Sequence, residues 1–425
     1  MALIVPAMMI GCQKPDTPQE DPTPEPPVEK PDTPVTPEPE IQLAPEIKSG
    51  DCVLAPNKFA EEFVTKVTYP DRDYSYSVVL DYHGGYNGQL AEGESVNGDK
   101  SSEYTIRWEA NEAEGKLQLE LSEQETGWSM TKEITAGSNY VDINNLTPNV
   151  HYTYKVSSIE KGTVMTEGNF TTYGHIRQVF FKTRVRNGRD MGGWLTYDGK
   201  MVKYHKIYRT GRWESSTMAN SGKKAIIAEG IKAQLDLRNT SDVLDAPAID
   251  GMDFCAPLIE TGGDSMLKAE KGDKTRQCMQ FIIDCVKADK PVVYHCSLGR
   301  DRTGTLGMII LGLLDVVEGD ISKEYEVTYF SPRGWSIASS ETYKTFQNLR
   351  TTWAYKPAAE YIWAGKYPNA TYEFNDDKES PDYTPFSVRI EKYLLDIGIS
   401  QADIDAFREL MLTEPYADLT PATAE

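Results

Sequence analysis

The sequence predicts an α/β fold, with a central, mostly parallel sheet flanked by helices, preceded by an all-β region. Three observations predict it. Val292, Val293 and Tyr294 read as a short buried strand that runs through a tight loop into an uncharged, apolar helix from Thr303 to Leu314. Ahead of that strand, Cys278, Phe281, Ile282 and Cys285 fall at i, i+3, i+4 and i+7, one apolar face of a helix. Residues 45–175 instead alternate apolar and polar positions between turn residues, which is the period of strands.

Composition bounds the rest. A chain of 425 residues suits two or three domains. With 44 Lys+Arg against 65 Asp+Glu the formal net charge is −21, which argues against a nucleic-acid partner, since such binders need clustered cations. Six cysteines are too few and too scattered for a disulfide scaffold. Five histidines show no metal-ligand spacing, so neither metal nor cofactor is expected.

The chain divides into 1–12, 13–44, 45–175 and 176–425. Residues 1–11 are uncharged and mostly apolar but too few to cross a bilayer, which takes about 20. Followed by Cys12, the stretch resembles the lipobox of bacterial lipoproteins, in which that cysteine is lipidated. Residues 13–40 hold ten prolines and eight acidic residues, a composition that forms no core and gives a stiff spacer. The two together predict a lipid-anchored protein of the cell envelope with its body held off a membrane.

Within the alternating region, Tyr104, Ile106 and Trp108 share one face, as do Leu117, Leu119 and Leu121. Leu146, Pro148 and Tyr152 match the L-x-P-x-x-x-Y element, which resembles a fibronectin type III sandwich whose Tyr bonds back to the backbone at a strand corner. No cluster of titratable groups occurs there, so a spacer or presenting module is expected rather than catalysis.

Chemistry concentrates in His295-Cys296-Ser297-Leu298-Gly299-Arg300-Asp301-Arg302-Thr303-Gly304. Strand, tight loop and helix aim backbone N–H groups and a helix N-terminus at one point, where an anion belongs. The same donors favour a thiolate, and helix N-termini and cations lower thiol pKa values from about 8.5 to roughly 3.5–7.5. Arg302, six residues after Cys296, offers a planar fork to two oxygens of a phosphoryl group. Ser297, Leu298, Gly299 and Arg300 complete the cradle.

This stretch resembles the Cys-x5-Arg signature of protein tyrosine phosphatases. Rhodanese-like loops are shorter, and low-molecular-weight phosphatases carry theirs near the chain start. Asn187, Arg189, Asp190, Gly192 and Gly193 resemble the "N-x-R-D-[LM]-G-G" element of one bacterial group. Tyr208-Arg209 and Gly211 resemble its "Y-R-[ST]-G" strand, and Asp236, Leu237 and Arg238 its "D-L-R" strand end. The match is to the bacterial tyrosine/dual-specificity (tyrosine/lipid) phosphatases that include a mycobacterial secreted triple-specificity enzyme, and it implies the cysteine-phosphatase fold. Gly188 and Leu298 depart from the usual Phe and Ala, which puts the pocket's shape in question.

The resemblance implies two-step phosphomonoester hydrolysis. Cys296 attacks phosphorus, Arg302 and loop amides hold the oxygens, and Thr303 assists the departing thiolate. His295 is expected to fix the loop. For the general acid two residues stand: Asp301, at the family's position, and Asp264, whose flanking glycines suit a mobile loop. Arg189, Arg209, Arg238, Arg300 and Asp190 are expected around the substrate. The partner is then a phosphorylated substrate: a phosphotyrosine protein, or, if the arginines converge, a phosphoinositide or inositol phosphate. A catalytically silent phospho-ligand binder is the rival from another class, and oligomeric state stays open.

Overall fold

The computed structural model describes residues 52–53, 58–66, 68–72, 104–181, 185–213, 218–330 and 354–416. Cys12 and the proline-rich run 13–44 lie outside them.

The chain enters with β1 (Cys52–Val53) and helix α1 (Lys58–Lys66). The alternating stretch then forms β2 (Tyr104–Arg107), β3 (Leu117–Glu123), β4 (Ser129–Ile134), β5 (Tyr140–Ile143), β6 (His151–Ser158) and β7 (Val164–Tyr173). Strands β4, β3, β6 and β7 are antiparallel neighbours, with β1 parallel on the β7 edge, while β2 pairs with β5. Leu117, Leu119 and Leu121 point one way from β3 and meet Ile106, Val141, Ile143, Tyr152 and Phe170 in a shared core. The alternation has its expected cause in β3, where every second residue from Leu117 to Glu123 is buried.

Helix α1 departs from the all-β expectation for 45–175. Ala60, Phe63 and Val64 stand at i, i+3 and i+4, a helical stripe. They pack into the core of the α/β part, where the Tyr69 hydroxyl donates to Glu326 at 2.7 Å.

The α/β part runs β8 (Arg189–Asp190), β9 (Met201–Val202), β10 (Ile207–Thr210), α2 (Asn220–Ala228), β11 (Ala233–Asp236), β12 (Asp253–Cys255), α3 (Asp264–Lys268), α4 (Asp273–Lys287) and β13 (Val292–His295). Then come α5 (Asp301–Leu313), α6 (Glu318–Glu326), α7 (Tyr355–Ala364), α8 (Phe386–Asp396), α9 (Gln401–Met411) and β14 (Leu412–Thr413). The main sheet has the order β12-β11-β13-β10-β8, parallel except for the antiparallel edge strand β8. Every residue of β13 is buried, because the strand is central and both faces are covered; hence its unbroken apolar run. Helix α5 is buried from Thr303 to Leu313 because it runs among β13, α6, α7 and α8. It starts at Asp301, two residues before its apolar stretch. Cys278, Ile282 and Cys285 are buried on α4 as their spacing predicts, and Ser400 caps α9 by accepting the Asp403 N–H at 3.1 Å.

Register places the site. Thr210 pairs with His295, and His295 with Asp236, so three parallel strands end in one row and hand over to Gly211, Cys296 and Leu237. That row is the carboxyl edge of the sheet, where open α/β folds bind ligands.

A buried polar cluster joins the strands of the first part to this sheet. His205 Nε2 lies 2.8 Å from Glu123, and Arg177 pairs with Asp190 at 2.9 Å, bonds Glu229 and donates to the Asn145 carbonyl. Burial pushes the Glu123 carboxyl up, but His205 and Arg177 outweigh it and hold the group at about 2. Phe63→Ala is expected to cost about 3–5 kcal/mol, since α1 sits in the main core. Chemical denaturation followed by tryptophan fluorescence should show that loss in the same single transition that unfolds the α/β part.

Candidate active site

The nucleophile candidate sits where β13 ends. Cys296 is buried, with 3% of its surface exposed. Burial pushes its thiol up, but the charge of Arg302 and the neighbouring Thr303 hydroxyl and backbone N–H pull it down further, and Asp301 opposes them. The balance lies below the ordinary thiol value. The loop then turns into α5, whose first N–H groups have no intrahelical partners, an arrangement that suits an anion.

The loop is a braced object. Gly299 has φ +67°, and a Cβ there would lie 2.5 Å from the Thr210 carbonyl oxygen, so only glycine fits. Its own carbonyl accepts from Arg209 Nη2 at 2.6 Å and Asn187 Nδ2 at 2.9 Å, and Asn187 also reaches the Leu298 carbonyl at 3.3 Å. Arg209 and Arg189 share one buried carboxylate, Glu324 on α6; Arg189 meets it at 2.9 Å and also donates to Asn187.

Arg302 is aimed by the sheet edge. Its Nη1 donates to the carbonyls of Ile259 at 2.9 Å and Leu237 at 3.3 Å, and its Nη2 to Ser297 Oγ at 3.3 Å. Arg300 turns onto Asp301, with Nη2 2.9 Å from Oδ2, and Tyr325 donates to the same carboxylate at 3.1 Å.

His295 is fully buried, and burial takes it down to about 4, against the pull of Asp236. Its tautomer follows from its neighbours. Gln234 Oε1 accepts the Ala248 N–H at 2.7 Å, so the Gln234 amide nitrogen donates to His295 Nε2 at 2.9 Å. The ring proton is therefore on Nδ1, 3.8 Å from Asp236. A neutral, enclosed imidazole holds the strand end and moves no proton near neutral pH.

Four residues expected at the substrate lie elsewhere. Arg189 and Arg209 are buried against Glu324, and Arg238 is buried on both oxygens of Asp236. Asp190 accepts the N–H groups of His205 at 2.8 Å and Gly192 at 2.9 Å and pairs with Arg177. These groups brace the loop and sheet from behind, because desolvated charges must be paired inside the protein. Asp264 begins α3 and pairs with Lys268 at 2.7 Å. Its segment abuts the loop: a Cβ on Gly262 would lie 2.6 Å from the Asp301 carbonyl carbon, and Gly263 N–H donates to Thr305. Residues 365–385 contact α7 and α8 through Tyr367 and Asp376, and pair with Asp71 and Arg72 through Lys378 and Asp376. Sequence reasoning missed Glu324, Thr328, whose hydroxyl oxygen accepts from Asn187 and Arg189 at 3.2 Å, and Asp242, which accepts from Ser297 at 2.9 Å; two buried arginines imply a counter-carboxylate, but nothing in the sequence says which.

Fold and site define a class: a Cys-x5-Arg oxyanion loop at the carboxyl edge of a parallel sheet. The chain belongs to the tyrosine phosphatase family, whose model matches residues 182–413. It is 23% identical over 164 residues to a protein of Cupriavidus necator that bears a tyrosine-protein phosphatase name, an alignment covering 33% of this chain. The chain spans 59% of that curated relative's length. The crystal structure of P. aeruginosa TpbA overlaps at 12% identity with a TM-score of 0.24, over 35% of this chain and 88% of that one.

Because Thr303 helps hold the thiol's pKa down, Thr303→Val is expected to raise it. The rate of Cys296 alkylation by iodoacetamide, plotted against pH, should then shift to higher pH. An unmoved profile would show that Arg302 and the backbone N–H set the thiolate without the hydroxyl.

Proposed function

We propose that the protein hydrolyses phosphomonoesters through a phosphocysteine, with phosphotyrosine proteins as the substrate class. The observation that carries this is the buried Cys296 thiol, lowered by Arg302 and Thr303 at the mouth of a braced loop. Cys296 Sγ attacks phosphorus as the aryl oxygen leaves with a proton; water then attacks the phosphocysteine, releasing phosphate and the thiolate. Loop amides and Arg302 stabilise the equatorial oxygens in both steps.

Asp301 is the general acid in this reading. Its carboxyl starts α5, partly exposed and oriented by Arg300 and Tyr325. The burial of Arg189, Arg209 and Arg238 in ion pairs favours a substrate with one phosphate over an inositol polyphosphate. An intact Cys296, Arg302 and Thr303 set favours an enzyme over a silent binder.

The strand order β4-β3-β6-β7 beside β2-β5 supports a fibronectin-like module within 45–175, α1 excepted. So does Tyr152, whose hydroxyl accepts the Thr147 N–H at 2.8 Å. With a lipid on Cys12 and the proline-rich spacer, the enzyme would stand on the cell envelope. Metabolic labelling with palmitate is expected to mark the protein and to fail in Cys12→Ser; equal labelling of both would remove the anchor.

Vanadate-sensitive hydrolysis of para-nitrophenyl phosphate is expected for the protein and absent in Cys296→Ser. Asp301→Asn is expected to lower kcat on phenyl phosphate about 100-fold, and Asp264→Asn only a few-fold. The reverse order would move the acid to Asp264, and a folded protein without turnover would leave the binder.

A further inference from the structure

We propose that Asp242 is a positioning residue for Arg302, acting through the Ser297 hydroxyl; the proposal rests on the phosphatase reading of the loop. Asp242 stands in the turn that follows β11. Asn239 holds that turn: its Oδ1 accepts the Ser241 hydroxyl at 2.8 Å, and its carbonyl accepts the N–H groups of Asp242 at 3.3 Å and Val243 at 3.0 Å. The carboxylate thus has a fixed origin on the sheet edge next to the strand that carries Cys296.

Asp242 Oδ2 accepts the Ser297 hydroxyl at 2.9 Å. A carboxylate oxygen only accepts, so the serine proton is committed to it. The lone pairs of Ser297 Oγ are left for Arg302 Nη2, 3.3 Å away. With Nη1 on the carbonyls of Ile259 and Leu237, the guanidinium is then pinned at both terminal nitrogens. Without Asp242 the hydroxyl rotates, its proton can face the cation, and the second anchor is lost. The guanidinium swings about Nη1, and the bidentate geometry toward a phosphoryl group blurs.

A bare carboxylate beside an oxyanion site would repel its ligand. Arg212 answers this: its Nη2 pairs with the same Oδ2 at 2.8 Å. Its backbone N–H bonds the Ser297 carbonyl at 3.3 Å, so the counter-charge rides on the residue it serves. Asp242 therefore contributes an acceptor with its charge already balanced.

The test is a double-mutant cycle on the full chain, read by kcat/KM on para-nitrophenyl phosphate and by vanadate affinity in calorimetry. D242A and S297A are each expected to lose about tenfold in both readouts, the scale of one hydrogen bond in a charged network. The double variant is expected to lose no more than S297A alone, and D242N, which keeps an acceptor, to recover most of the loss. Losses that multiply, or a D242A protein within twofold of wild type, overturn the relay. If D242A does not fold, D242N decides: a loss of about threefold that vanishes in the S297A background supports the relay, and one that persists there overturns it. Vanadate binding is read without turnover, so an inactive wild type overturns the enzymatic reading while the cycle still judges Asp242.

Discussion

A thiolate kept away from water is the constraint on which this structure turns. Burial alone drives the Cys296 proton back onto sulfur, and only positive charge and donated hydrogen bonds held close to the sulfur reverse that. Those donors must not drift, because a charge in a low-dielectric site is sensitive to small displacements. The rest follows from holding them still. Carbonyls at the sheet edge aim Arg302, and Asn187 and Arg209 grip the Gly299 carbonyl. Glu324 in turn holds Arg209 and Arg189, since two guanidinium groups cannot be buried side by side without an anion between them.

That hierarchy explains which parts were legible in the sequence. The loop was, because its chemistry is carried by residues contiguous in the chain, and strand β13 was, because a central strand must be apolar throughout. Arg189, Arg209 and Arg238 are legible as functional, but the fold buries them in ion pairs with Glu324 and Asp236. An arginine beside an anion site looks the same in sequence whether it faces the substrate or the loop's own carbonyls. The difference lies in partners such as Glu324, 115 positions from Arg209, which only the fold brings near. Helix α1 was missed for a smaller reason: its apolar stripe is short and borders a long stretch with strand periodicity.

The first part of the chain is more than a neighbour. Glu123 and Tyr152 belong to its strands, yet their hydrogen bonds run into His205 and so to Asp190, the residue after Arg189 on β8. Every member of that path is buried, and each charge needs its partner. Such clusters specify one arrangement, since any slip strands an unpaired charge. The strands and the catalytic sheet are therefore joined in one register by buried polar chemistry.

Helix α1 has a consequence for how the chain comes together. Its nine residues are too few to persist as a helix alone, and their anchor is α6. The Tyr69 bond to Glu326 closes a separation of 257 residues, and Lys323 reaches back to the Val64 carbonyl over 259. Contacts that distant form slowly, after local structure is in place. The helix that receives α1 also carries Glu324. The clasp between these distant segments and the seating of the brace behind the loop therefore depend on the same late stretch of the chain. Until that stretch is in place, Arg189 and Arg209 lack their buried counter-charge, and Arg209 has no fixed hold on the Gly299 carbonyl.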